Sequence, residues 1–225
     1  LHAINVHIVT TVLPSVVQDI GGLDWYAWNT TLFVVASIVG AALSVRLLAM
    51  AGPRGACIAA LAMFALGSAV CASAASMPSM LVGRSVQGLG GGVLAALSYA
   101  LIQVVFAPAL WPRAVALVSG MWGIATLCGP AVGGLFAQAG HWRWAFWMLL
   151  PVALLQALLV AVQLRPAEDA KPAVGPQPQI PALQIVLLAT SVLTVAAGSL
   201  SAQLLWQGAG VAVGLALGVA VVLVD

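Results

Sequence analysis

The chain has 225 residues, of which 63% are hydrophobic and only 5% charged, and its mean hydropathy is +1.14. Ordinary soluble domains carry about 25% charged residues, so this composition excludes a water-soluble globule and specifies an all-α polytopic membrane protein. The formal charge of +2 comes from scattered cations that form no patch for nucleic acid.

Apolar length and the breaks between apolar runs mark eight membrane segments. The first runs from Leu1 to about Val17, and Gln18 to Asp24, with Gly21 and Gly22, makes a short turn. The second spans about Trp25 to Leu48, and Gly52-Pro53-Arg54-Gly55 breaks the chain before the third, about Ala56 to Ala74. Met77-Pro78 opens the fourth, which reaches about Phe106, and Pro108 and Pro112 bracket the next loop. The fifth covers about Ala114 to Ala137, Gly140 to Arg143 closes it, and the sixth is about Trp144 to Leu164. Residues 1–164 thus read as a six-helix transmembrane bundle whose first helix is truncated. A proline-rich linker follows at 165–179, and two plainer helices occupy 180–225, about Pro181 to Ser201 and Gly208 to Val224. The chain starts at Leu1 partway into an apolar run and stops at Asp225, so it is expected to be a piece of a longer protein.

Cation placement sets the orientation. If the first segment runs outward, Arg46, Arg54, Arg113, Arg165 and Lys171 fall inside, Arg143 falls outside, and Arg84 lies within the fourth segment. That bias fits the positive-inside rule, and it makes the linker cytoplasmic. Trp25, Trp28, Trp142, Trp144 and Trp206 gather near the outer ends, where amphipathic rings settle. A multi-pass protein of the bacterial inner (plasma) membrane is the expected setting. Cys57, Cys71 and Cys128 all sit in apolar runs at no metal-like spacing and read as small buried residues.

Two stretches carry most of the chemistry. In the fourth segment, Gly83 to Gly92 reads GRSVQGLGGG, and Arg84, Gln87 and Gly88 share one helical face. A charge this deep marks a pathway or a pairing; the other reading is that Arg84 snorkels to the outer interface. In the fifth segment, Gly123 to Gly134 reads GIATLCGPAVGG. Pro130 forfeits its bond to the Thr126 carbonyl, and Gly129 and Gly133, four apart, clear one face for close helix approach. A kinked packing helix and a transporter hinge both fit those residues.

These strings resemble the major facilitator superfamily. Arg84 to Gly90 is similar to its fourth-helix RxxQGxG motif, and Gly123 with Gly129-Pro130-Ala131-Val132-Gly133-Gly134 to its fifth-helix antiporter motif. His141 to Trp147, leading to Leu150-Pro151, resembles the WRWxF…LP opening of the sixth helix in the fourteen-helix drug:proton antiporter branch. Thr10-Thr11-Val12-Leu13-Pro14 resembles the end of that branch's first helix. The resemblance implies an N-terminal half-bundle of a major facilitator fold followed by the branch's two extra helices, with the C-terminal half-bundle absent. It implies proton-coupled efflux of hydrophobic or cationic small molecules by alternating access, with lipid, substrate, protons and the missing half as partners.

Three departures temper that expectation. The loop from Ser44 to Gly55 lacks the family's aspartate, Asn5 and His7 replace the first helix's Asp and Thr, and no acid lies deep in any segment. The alternative is therefore a non-transporting or degenerate membrane domain that only packs or assembles. The candidate substrate and proton pathway comprises Arg84, Gln87, His7, Asn5, Asn29 and Trp122. Gly88, Gly123, Gly129, Pro130, Gly133 and Gly134 form the candidate conformational interface, with the fifth-segment group facing the absent half. No nucleophile with its base, no metal site and no nucleotide cradle is legible, so neither an enzyme nor a cofactor is expected.

Overall fold

The computed structural model describes residues 1–164, 182–199 and 204–223. The helices are α1 (His2–Ile20), α2 (Tyr26–Ala72), α3 (Met77–Val105), α4 (Trp111–Gln138), α5 (Trp144–Trp147), α6 (Leu149–Gln163), α7 (Ala182–Ser199) and α8 (Leu204–Leu223). Short 3-10 turns at Leu23–Trp25 and Pro108–Leu110 precede α2 and α4. The linker expected at 165–179 lies outside the described residues. Among the described residues, five helical stretches are long and apolar enough to cross a bilayer. The chain is a multi-pass integral membrane protein of all-α fold.

The 47 residues of α2 would extend about 70 Å at the α-helical rise, more than twice the ~30 Å hydrocarbon thickness. The helix avoids this by reversing at Gly52, where φ is 65° and ψ is 176°. Only glycine adopts that backbone without strain. Pro53 then opens the second arm, where its missing N–H is not needed. The four-residue break expected at Gly52 to Gly55 therefore shrinks to one residue, with helix on both sides.

Close backbone approaches fix the helix directions. Along the first arm, Phe33 lies against Gly88 and Ser37 against Gly92, so that arm runs parallel to α3. Along the second arm, Phe64 meets Gly90, Gly67 meets Gln87 and Cys71 meets Gly83, so it runs antiparallel. On α1, His7 meets Gly129 while Ile8 and Thr11 meet Gly133, which makes α1 and α4 parallel. Successive spans thus alternate in direction. The directions place Arg46, Arg54 and Arg113 toward one membrane face and Asp19, Asp24 and Arg143 toward the other.

Local chemistry sets the ends. Ser76 and Ser79 form a reciprocal capping box at the start of α3. Pro112 sits in the first turn of α4, so that helix begins at Trp111 and not beyond the proline. The sixth segment is divided at Met148 into α5 and α6. Pro151 carries no N–H to donate to the Trp147 carbonyl, which accounts for the interruption. In the last pair, α8 starts at Leu204, four residues earlier than the expected Gly208. A Cβ on Gly198 would come 2.8 Å from the Gly210 Cα, so this pair packs backbone to backbone. Ser191 Oγ also donates to the Gly214 carbonyl at 2.7 Å across the same seam.

Two apolar clusters hold the bundle. One unites Ile8, Val12 and Val16 of α1 with Cys71, Met77, Met80, Trp142 and Phe146. The other joins Ala56, Cys57 and Ala60 of α2 to Val93 and Leu97 of α3. Between them along α3 lie Arg84 and Gln87, with Ser68, Asn5 and Asn29 also buried. Cys57 and Cys71 are buried as expected, whereas Cys128 is exposed on α4.

Candidate functional site

The buried layer begins with Arg84. Its side chain is 1% exposed, its guanidinium carbon stands 3.9 Å from the centre of the Phe33 ring, and Nη1 donates to Gln87 Oε1. Gln87 Nε2 in turn donates to Ser68 Oγ at 2.7 Å, and Ser68 donates to the Phe64 carbonyl at 2.8 Å. One chain of hydrogen bonds therefore ties α3 to the second arm of α2. This overturns the snorkelling alternative: the guanidinium lies inside the bundle and not at the outer interface. Glycines make the layer possible. A Cβ on Gly88 would lie 2.4 Å from the Phe33 carbonyl oxygen, and one on Gly67 would lie 2.3 Å from the Gln87 nitrogen.

Asn5 and Asn29 are both fully buried, and neither amide has a partner at its oxygen or its nitrogen. Arg84 Nε is unpartnered as well. A desolvated cation–π contact contributes about 2 kcal/mol or more, while taking a charged group out of water costs several kcal/mol. Among the described residues the acids are Asp19 and Asp24, both at the far ends of their segments, so no carboxylate in the layer balances Arg84.

A second group lies on the seam between α1 and α4. His7 Nε2 and Thr126 Oγ1 are 3.1 Å apart, and Thr126 also donates to the Trp122 carbonyl at 2.9 Å. With its one proton engaged there, Thr126 accepts from His7, which places the imidazole proton on Nε2. Gly129 gives the ring room: a Cβ there would stand 2.4 Å from the His7 Cβ. His2 stacks on Phe33 with centroids 5.3 Å apart and meets Trp122 edge-on at 5.9 Å, linking the seam to the buried layer. Trp122 itself is 37% exposed.

The fifth-segment glycines divide by face. Gly129 and Gly133 pack against α1, so that pair serves a contact inside this bundle rather than one with an absent half. A Cβ on Gly123 or Gly134 would meet no neighbouring helix within 4 Å, and both lie on a helix whose Leu117, Met121, Leu127 and Leu135 are exposed. Pro130 is exposed on the same helix.

Two features escaped sequence reasoning. A cavity of about 440 Å³ opens between α1, α3, α4 and α6, lined largely by apolar groups with His2, Ser98, Trp122 and Gln156 among them. Gln156, a polar residue in the middle of α6 with apolar residues on both sides, was the available signal. The other feature is a clasp at one membrane face. Asp19 Oδ2 accepts from Trp142 Nε1 at 3.1 Å and from Arg143 at 2.5 Å, and Arg143 Nη2 donates to the Ala74 carbonyl at 3.1 Å. Trp142 is only 3% exposed, so it belongs to the core and not to an interfacial belt.

Comparison with known proteins decides the family. Residues 1–223 match the sequence profile of the Major Facilitator Superfamily. The chain belongs to that superfamily. Relatives in two strains of Mycobacterium tuberculosis, each named as a probable multidrug-efflux transporter, are 43% identical over 227 residues. The match covers 100% of this chain and 48% of theirs. A multidrug transporter protein of Bacillus subtilis is 28% identical over 76% of this chain and 31% of its own length. An efflux pump of a Fusarium species is 32% identical over 73% of this chain and 29% of its own. This major facilitator chain therefore spans about half the length of the curated relatives it matches. Among its described residues, no cluster of three or more His, Cys, Asp or Glu could hold a metal ion.

Proposed function

We propose that this chain supplies the first half of a secondary transporter that exports hydrophobic or cationic small molecules by proton-coupled alternating access. The observation that carries the reading is the 43% identity, over the whole chain, to relatives named as multidrug-efflux transporters. The geometry supports it in three ways. The cavity between α1, α3, α4 and α6 offers an apolar chamber with few polar groups, suited to a lipophilic guest. The open face of α4 around Gly123 and Gly134 offers a smooth surface to a second half-bundle that would rock against this one. His7, bonded to Thr126 on the seam, is a titratable group in a segment that lacks a carboxylate at that depth. The bacterial inner membrane is the proposed setting, with the 165–179 linker on its cytoplasmic side.

The test uses the full-length protein in sealed vesicles under an imposed proton gradient. A lipophilic cationic dye should move against its gradient and stop moving when the proton gradient is collapsed. Correctly folded protein that moves no such compound under any gradient overturns the proposal and leaves a packing or assembly role.

A further inference from the structure

We propose that the buried layer of Asn5, Asn29 and Arg84 is a binding site for a small monovalent inorganic anion of about chloride size. This goes beyond the transport reading and stands without it.

Register brings the three residues to one level. The first arm of α2 runs parallel to α3 with Phe33 against Gly88 and Ser37 against Gly92. One turn earlier on both helices, that offset sets Asn29 beside Arg84. His2 lies against Gly91 and stacks on Phe33, and Asn5 follows it by three residues along α1, which runs opposite to α3. Asn5 therefore falls near the level of Gly88, to which the guanidinium reaches as it lies over Phe33.

The donor set then names the guest. Arg84 Nε, Asn5 Nδ2 and Asn29 Nδ2 are buried N–H groups with no partner. Guanidinium is always charged, and no carboxylate of the described residues enters the layer. Buried polar groups are satisfied by protein, water or ions, and water alone would leave the charge unbalanced. An anion accepts all three donors and neutralises the cation, while the two amide oxygens can take bridging water. Asn5, Asn29 and Arg84 are each no more than 1% exposed, so a monatomic ion fits the layer better than a side chain entering from outside. His2 lines the cavity beside Trp122 and stacks on Phe33, over which the guanidinium lies, and this side provides the route for exchange.

The test is thermal unfolding of purified full-length protein while chloride is replaced stepwise by gluconate at constant ionic strength. Chloride should raise the midpoint saturably. Asn29→Ala should weaken the apparent chloride affinity about tenfold, the loss of one hydrogen bond to a charged group. Asn5→Asp places a fixed carboxylate in the layer; it should raise the midpoint in gluconate and abolish the response to chloride. If Asn29→Ala does not fold, the wild-type titration and Asn5→Asp still decide. Identical melting in chloride and gluconate, or a chloride response unchanged in Asn5→Asp, means that the layer holds only water and overturns the assignment.

Discussion

Arg84, Gln87 and Ser68 show how a membrane bundle accommodates a charge. The guanidinium hands a hydrogen bond to Gln87, which passes one to Ser68, so three side chains on two helices share one network. Removing the middle link strands both ends. Gln87→Ala should cost about 1.5–3 kcal/mol of stability, the range for a hydrogen bond to a charged group. Ser68→Ala removes only a neutral partner and should cost about 1 kcal/mol. Reversible unfolding of the full-length protein in mixed micelles measures both, and equal losses would mean that the guanidinium does not depend on Gln87. His7 gives a prediction of another kind. Under the proposed coupling, His7→Gln should lower gradient-driven export more than tenfold while sparing the exchange of substrate for substrate, which needs no net proton movement. A variant that still pumps as the parent does would remove His7 from the coupling step.

Helices in this chain are shaped by glycine and proline placed where backbone or neighbours demand them. Gly52 turns α2 back on itself in a conformation closed to other residues. Gly52→Ala should therefore cost about 1–3 kcal/mol from backbone strain alone, read as a lower unfolding midpoint. The α4 glycines separate packing from function. At Gly129 a side chain would collide with the His7 Cβ, so Gly129→Leu should force α1 and α4 apart and lose about 3 kcal/mol or more of stability. Gly123 faces open space, so Gly123→Leu should leave folding within about 0.5 kcal/mol of the parent. If that face meets a second half-bundle, the same substitution should nonetheless depress export several-fold. Normal export by Gly123→Leu would assign the face to lipid.

At the scale of the whole molecule, two apolar clusters enclose a polar layer, and an ionic clasp closes one end. The clasp joins α1 to the start of α5 and to the loop after α2 through Asp19, Trp142, Arg143 and Ala74. Both charged side chains are partly open to solvent, so the clasp is worth little energy. Asp19→Ala should cost no more than about 1 kcal/mol, and the loss should shrink at high salt. A larger, salt-independent loss would show that the buried Trp142 ring depends on Asp19 for its position.

Composition and periodicity by themselves determined that this chain is helical, spans a membrane many times and places Arg84 and Gln87 on one face. Those properties follow from apolar length and from spacing along a single helix, which are local. The same local logic located Gly129, Pro130 and Gly133 on one helix. It could not tell that Gly129 and Gly133 serve α1 while Gly123 looks outward, because the partner of a face is not written in the face. Asn5, Asn29 and Arg84 stand far apart in the chain, and each alone reads as one polar residue among many. Only the tertiary structure, by reversing α2 at Gly52 and setting its first arm parallel to α3, brought them to one level. It did so because backbone-to-backbone contact at Gly88 and Gly92 allows one register, and that register decides which polar groups are buried together without partners.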